Sequence, residues 1–304
     1  MNASEAEPVG IIGLGAIGGG VARSMLAKGL DVTGCDINAE ALNAFAADGG
    51  KVLKTPQDLG RDCAIAFLFV VNAVQARDVL FGAGKLADAL GEGGIVVSCI
   101  TMAPDDAVRL GEDLAAHGIV MIDAPTSGGA ANALAGRTKF MLSGPPEAVA
   151  RAEFAFDAAA EQIYNVGETV GQGSTIKVVH QLLTGVHITA AMEAVALGIR
   201  LGLDPNRIYE VVKGCAGNSW MFENRVPHVL DGDYTPLSAV EIFVKDLGLV
   251  LETGKQARFP LPVAAAAHQQ FLAAAAAGYG REDDAAVIKV YRDLAGLELP
   301  AEKD

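Results

Sequence analysis

A chain of 304 residues, 51% of them apolar, is longer than one ordinary domain and suggests two, each large enough for a core. A formal charge of −14 with no basic run argues against a nucleic-acid partner, which needs clustered Lys and Arg, and against binding at a membrane surface. The four cysteines, Cys35, Cys63, Cys99 and Cys215, lie far apart without metal-ligand spacing, so a reducing, cytoplasmic setting and no structural metal are expected. The acidic, polar start MNASEAEPVG does not read as a signal peptide.

Residues 9–36 predict a strand, a glycine-rich turn, a helix, a second strand and an acid. Gly13 lets the chain turn off the strand, Gly15 offers a pyrophosphate a bare backbone, and Gly18 lets the helix pack close. A helix starting near Ala16 points N–H groups and its positive dipole end at that pyrophosphate. Asp36 ends the second strand, where a carboxylate accepts ribose hydroxyls and repels a 2′-phosphate. Ile37 and Asn38 bring no arginine, so NAD is expected rather than NADP. The plainer role for Asp36 is a solvated cap of the helix beginning near Asn38.

Strand-like apolar runs recur at 9–12, 32–35, 64–70, 95–99 and 119–122, separated by helical stretches such as 38–48 and 105–116. This alternation predicts a parallel sheet with helices on both faces. Thr55-Pro56 starts another helix, and a strand at 139–142, a helix at 146–160 and the run 164–167 complete the domain. Beyond Gly173 the pattern turns helical: a long helix over about 174–203, then 205–213, 240–256, 264–277 and 285–294. The uncharged stretch between Lys177 and Glu193 contains two histidines and reads as too short for a membrane span. The expected architecture is α/β: an N-terminal Rossmann-type dinucleotide-binding domain over 1–168 and an all-α domain over 169–304, joined by the long helix. A helical half this apolar favours a homo-oligomer, a dimer or tetramer.

Three clusters carry chemistry. Ser127, Gly128 and Gly129 follow a strand and offer a hydroxyl and backbone N–H groups to a carboxylate, or form a plain turn. On the long helix Lys177, His180, Gln181, Thr184 and His187 recur at steps of three and four and share a face. Solvated faces usually carry Lys and Glu in quantity, whereas here only Lys177 is charged, which suits a ligand-facing wall. Beside an oxidised nicotinamide a lysine loses its proton more readily, and neutral Lys177 is then placed to take a hydroxyl proton. The third cluster holds Trp220 and Asn224, with Lys245-Asp246 further on. The tryptophan suits a pocket wall, an interface or a core, and the Lys–Asp pair alone reads as a surface pair.

Taken in order, GLGAIG from Gly13, DAPTSGG from Asp123, GQGSTIK from Gly171 and KDLGL from Lys245 resemble the β-hydroxyacid dehydrogenase family, which includes 3-hydroxyisobutyrate, tartronate semialdehyde and 6-phosphogluconate dehydrogenases. The resemblance spans nearly the whole chain. It implies NAD held by Gly13, Leu14, Gly15, Ala16, Ile17, Gly18 and Asp36, with Val71, Asn72, Thr101 and Lys245 also on the cofactor side. It implies substrate held by Ser127, Gly128 and Gly129, and Lys177 as general acid/base.

Two departures matter. His180 stands where the family usually has asparagine, and Val71-Asn72 where it usually has Leu-Pro. With HQLLTGVH, GNSWMFENR and GYGREDD, these changes look like the L-threonate dehydrogenase branch, which oxidises the C2 hydroxyl of a four-carbon sugar acid with NAD. His180, Gln181, Trp220 and Asn224 are then substrate-side residues, and the Lys177 amine and the nicotinamide C4 are expected to converge on one carbinol carbon in the gap between the two halves. A smaller hydroxy acid such as 3-hydroxyisobutyrate would not need His180, Gln181 and Asn224 and ranks second. Phosphogluconate chemistry lacks its basic cluster, an imine reductase would lack Lys177, and a non-catalytic NAD sensor would not need it.

Overall fold

In the computed structural model, which describes residues 7–301, the chain divides into two compact units, Met1–Lys177 and Val178–Asp304. Residues 1–6 of the polar N-terminal segment lie outside the described residues. Residues 169–177 group with the sheet rather than with the helical half, for reasons that lie in the turn before Lys177.

The described residues of the first unit form one sheet. Its strands are β1 (Val9–Ile12), β2 (Val32–Cys35), β3 (Lys51–Val52), β4 (Ile65–Leu68), β5 (Ile95–Ser98), β6 (Val120–Asp123), β7 (Thr126–Ser127), β8 (Thr138–Ser143) and β9 (Ala160–Gly167). They lie in the order β3-β2-β1-β4-β5-β6-β8-β7, with β9 on β8. From β3 to β6 all neighbours are parallel, and the order reverses between β1 and β4, the switch point where open α/β sheets bind ligands.

Strands β1, β2, β4 and β5 are buried on both faces, which is why they read as unbroken apolar runs. Val9, Ile11, Ile65, Phe67, Ile95 and Val97 point into one core, while Ile12, Ala66, Leu68 and Val96 point into the other. The parallel sheet expected from the alternation dominates, with antiparallel pairing added beyond β6. β8 runs antiparallel to β6, and β9 follows β8. The link from β7 to β8 holds only the six-residue helix Gly129–Leu134, too short to carry the chain back for a parallel return.

The second unit is helical. The helix Gln172–Arg200 enters it and is followed by Pro205–Lys213, Trp220–Asp231, Val240–Gln256, Pro262–Ala274 and Ile288–Ala295. Its core gathers Ile188, Met192, Val195, Val226, Val229, Phe243, Leu247, Phe271 and Ile288. Trp220–Asp231 was not among the expected helices. Pro227 interrupts its pattern, while Ser219 caps it by accepting the Phe222 N–H at 3.0 Å.

Gln172–Arg200 is 29 residues long with mean hydropathy 1.6 in its most apolar window, enough to span a bilayer by length and composition. The shorter uncharged stretch between Lys177 and Glu193 lies inside this helix. Its Ile188, Met192 and Val195 are core residues, and its polar Ser174, Lys177, Gln181 and Thr189 are buried. Such a distribution is that of a protein-facing helix.

Phe156, from the helix Pro146–Ala159, meets Phe67 edge-on at 5.4 Å and Phe140 at 5.1 Å, and so locks β4 and β8 to one helix. Phe156→Ala is expected to lower the unfolding free energy by about 3–5 kcal/mol in urea titration, and a loss below about 1 kcal/mol would contradict this packing role.

Candidate active site

Gly13 turns off β1 at φ +91°, and its N–H bonds the Cys35 carbonyl at 2.9 Å, tying the turn to β2. A methyl group on Gly18 would sit 2.0 Å from the Gly13 carbonyl oxygen, so only glycine lets the helix Ala16–Ala27 lie this close. A methyl on Gly15 would meet nothing within 4 Å, and the residue is exposed. The turn is therefore closed on the protein side and open on the other, a cradle that fits a pyrophosphate. Leu14, Ala16 and Ile17 complete it. Leu14 is buried, Ala16 is exposed and Ile17 lies between.

Asp36 follows β2 and accepts the Leu14 N–H at 2.5 Å and the Asn38 N–H at 2.7 Å. The cap of the next helix is Asn38 itself, which accepts the Glu40 N–H at 2.9 Å. Asp36 thus braces the glycine turn instead of capping. Asn72 caps the helix Ala73–Phe81 by accepting the Gln75 N–H at 2.9 Å, and Gln75 in turn accepts the Val71 N–H at 2.9 Å. Thr101 is half-buried beyond β5. The glycine turn, Asp36, Val71-Asn72, Thr101 and Ser127 all follow the carboxyl ends of parallel strands, one edge of one sheet.

Asp123, the last residue of β6, is fully buried. Its carboxyl group accepts the Gly171 N–H at 3.1 Å, the Ser174 N–H at 2.7 Å and the Ser174 hydroxyl at 2.9 Å. Ser143, paired opposite it on β8, accepts the Gly173 N–H at 2.9 Å. The first N–H groups of the long helix are thus satisfied by two side chains of the sheet. The approach is so close that a methyl on Gly173 would lie 2.6 Å from the carbonyl oxygens of both Asp123 and Met141.

One turn on, Lys177 is 6% exposed and donates from Nζ to the Thr126 carbonyl at 2.8 Å. Its amine therefore lies against the loop that carries Ser127, Gly128 and Gly129. Gly128 has φ +124° and Gly129 φ +73°, while Ser127 is half-buried. Neither Asp123 nor Ser174 had an assigned role in the sequence. The signal was an acid closing an apolar strand, with a serine just before the lysine.

In the second unit Gln181 is buried. Its Nε2 donates to Asp246 Oδ2 at 2.5 Å, and its Oε1 lies 2.8 Å from His180 Nδ1. Lys245 Nζ is 2.8 Å from Asp246 Oδ1. Asp246 is itself buried, so this is no surface pair, contrary to its appearance in the sequence. Trp220 is 64% exposed, which removes the core role. Asn224 accepts from Arg225, whose guanidinium bonds the buried Asp284 at 2.5 Å. Burial pushes the Asp284 carboxyl up to about 7, against the pull of Arg225. The arginine of GNSWMFENR and the last acid of GYGREDD are therefore a structural tie between the helix Trp220–Asp231 and the turn Asp284–Val287.

Burial raises the Asp123 carboxyl from 3.8 to about 6, with the Ser174 and Gly171 donors holding it lower than burial alone would. The folded chain therefore binds this proton more tightly than the unfolded chain. Its stabilising contribution is full below about 4 and is lost as pH rises through about 6. Relative to wild type, Asp123→Asn is expected to gain unfolding free energy as pH is raised across that window. A difference that stays constant in pH-dependent urea unfolding would contradict the assignment.

Two family models cover most of the chain: the NAD binding domain of 6-phosphogluconate dehydrogenase over residues 8–167, and the NAD-binding model of NADP-dependent 3-hydroxyisobutyrate dehydrogenase over residues 171–291. An L-threonate dehydrogenase of Cupriavidus necator is 52% identical over 97% of this chain and 99% of its own. The Haemophilus influenzae L-threonate dehydrogenase is 47% identical over 96% of each. A crystal structure described as 3-hydroxyisobutyrate dehydrogenase from Salmonella typhimurium superposes with a TM-score of 0.87 at 47% identity, covering 93% of this chain and 99% of that one. With its Rossmann-type NAD-binding sheet, its helical second half and these relatives, the chain belongs to the 3-hydroxyisobutyrate dehydrogenase-like family of β-hydroxyacid dehydrogenases, NAD-binding oxidoreductases that act on CH–OH groups.

Proposed function

We propose that the chain oxidises the C2 hydroxyl of L-threonate, or a closely similar four-carbon sugar acid, to the 2-oxo acid with NAD. The observation that carries the chemistry is the buried Lys177 amine, hydrogen-bonded to Thr126 on the loop that leads into Ser127, Gly128 and Gly129. The substrate carboxylate takes the Ser127 hydroxyl and the backbone N–H groups of Gly128 and Gly129. Lys177, neutral in the reactive state, accepts the C2 hydroxyl proton as that carbon loses its hydride and the C=O bond forms. NAD, when bound, is the hydride acceptor, held by the residues 13–18, Asp36, Val71, Asn72, Thr101 and Lys245. NAD is favoured over NADP because the Asp36 carboxylate stands where a 2′-phosphate would have to go.

The polar side chains His180, Gln181 and Asn224, and the exposed Trp220, suit a substrate with several hydroxyls. A site built to pair hydroxyls rejects an analogue that leaves its groups unpaired. The names of the relatives above favour the same substrate. The second candidate is 3-hydroxyisobutyrate, from the description of the Salmonella structure, or a tartronate semialdehyde type of acid. Their smaller side chains do not call for the polar groups at His180 and Asn224.

Within the same proposal the protein is cytoplasmic, needs neither nucleic acid nor membrane, and works as a homo-oligomer. Exposed apolar residues Val179, Leu183 and Leu197 along the long helix, and Leu201 just after it, support a second copy as their cover.

NADH formation across four-carbon sugar acids and branched 3-hydroxy acids tests the substrate, with L-threonate expected to give the highest kcat/KM. A preference for 3-hydroxyisobutyrate would overturn it. Lys177→Ala is expected to lower turnover by about 10²–10⁴-fold while NAD affinity by fluorescence titration stays within about twofold. Undiminished turnover would remove the lysine from the chemistry.

A further inference from the structure

The loop that carries Ser127 holds a peptide group with glycine on both sides. Gly128 at φ +124° and Gly129 at φ +73° stand where side chains rarely go, and a methyl on Gly129 would meet nothing within 4 Å. Such a peptide turns over with little steric resistance, so sterics alone do not decide which way its N–H points. Asn132 decides it. Its Nδ2 donates to the Gly128 carbonyl oxygen at 2.8 Å. A guanidinium only donates, so the Asn132 atom 3.3 Å from Arg137 Nε is the amide oxygen, which leaves the nitrogen for Gly128. The backbone N–H of Arg137 also bonds the Asn132 carbonyl at 2.8 Å. The short helix Gly129–Leu134 that bears Asn132 is tied to the helix Ala16–Ala27, which follows the cofactor turn. Ser24, buried on that helix, donates to the Ala133 carbonyl at 2.8 Å, and a methyl on Gly20 would lie 2.7 Å from the Leu134 nitrogen. In a trans peptide the N–H points opposite to the C=O. With the Gly128 oxygen turned to Asn132, the Gly129 N–H is therefore turned away from it, on an exposed residue and with no acceptor among the described residues.

We propose that Asn132 is a positioning residue for the substrate carboxylate, acting through the Gly128–Gly129 peptide. The inference rests on the reading of loop 127–129 as the carboxylate holder and deepens it. Overturning this peptide would put a carbonyl oxygen where the donor stands, and that oxygen would repel a carboxylate. Asn132 blocks the turnover before substrate arrives, so binding does not have to supply the ordering. It does so from a helix braced on the one that opens at the cofactor turn, which gives the two ligands a common footing.

The test is steady-state kinetics with L-threonate, read beside hydrogen–deuterium exchange of the loop in the full-length protein with NADH bound, so that no turnover occurs. In the wild type, saturating L-threonate is expected to slow exchange in the segment that contains Gly128 and Gly129. Asn132→Ala is expected to raise KM for L-threonate about tenfold, with a smaller change in kcat and NAD affinity by fluorescence titration within about twofold. It is also expected to lose the protection at the same L-threonate concentration. Asn132→Leu fills the position without a donor, is expected to match it, and covers the case in which the alanine variant folds poorly. Asn132→Ser restores a donor, because a helical serine hydroxyl reaches the carbonyl four residues back, and is expected to return KM to within about twofold of wild type. A KM unchanged in both donorless variants overturns the proposal, and so does a KM raised equally in Asn132→Ser. A wild-type loop that L-threonate leaves unprotected overturns the carboxylate role of the loop, and the proposal with it, and leaves the Lys177 chemistry standing.

Discussion

Asp123 closes β6 with its carboxyl group sealed from water, and three donors from residues 171–174 converge on it. Removing a carboxylate from water is costly unless its lone pairs are answered, so the turn and the acid have to come together. Ser143 on β8 takes the remaining early N–H, and Gly173 has no side chain to hold the turn off. The helix start is therefore pinned at two points of the sheet before the first turn is complete. A lysine three residues after Ser174 is left with little choice of position, and its amine falls on Thr126. The dipole at the helix start favours a negative charge on Asp123, which partly offsets what burial does to the same group.

This anchoring explains why residues up to Lys177 belong physically with the sheet although the helix runs on to Arg200. It also links two motifs separated in sequence. DAPTSGG supplies the acid and the carbonyl that fix the lysine, and GQGSTIK supplies the glycine, the serine and the lysine itself. The cofactor cradle obeys the same logic at the same edge of the sheet. Gly18 and Gly13 touch, Asp36 ties the turn to β2, and the open side is at Gly15. The sheet anchors both sets of groups and leaves them little freedom to move.

Most of the sheet was legible because its strands are buried on both faces and read as apolar runs, and the cradle was legible because close approach demands glycine at fixed spacing. The two-residue strands β3 and β7 were not. They are too short for a period to register, and their pairing is set by neighbours far along the chain. The direction of β8 depends on the length of a helix buried in an alanine-rich stretch, which no pattern marked. The helix Trp220–Asp231 was hidden by Pro227, and the break at Ala275–Tyr279, with Gly278 at φ +97°, by a run of identical alanines. At the site, residue types pointed to Lys177 and to the polar face beyond it. They said nothing of what holds these groups, because Asp123–Ser174 and Gln181–Asp246 are pairs made by the fold, at separations of 51 and 65 residues. Lys245-Asp246 looked like a solvated pair for the same reason, since burial is not written in a dipeptide.

The central claim is that the buried acid serves turnover only through the lysine it positions. A double-mutant cycle in kcat tests this directly, with Asp123→Asn made in the wild type and in the Lys177→Ala background. The expected result is a large fall in kcat in the wild type and no further fall once Lys177 is gone. Equal falls in both backgrounds would show that Asp123 acts elsewhere and would contradict the account.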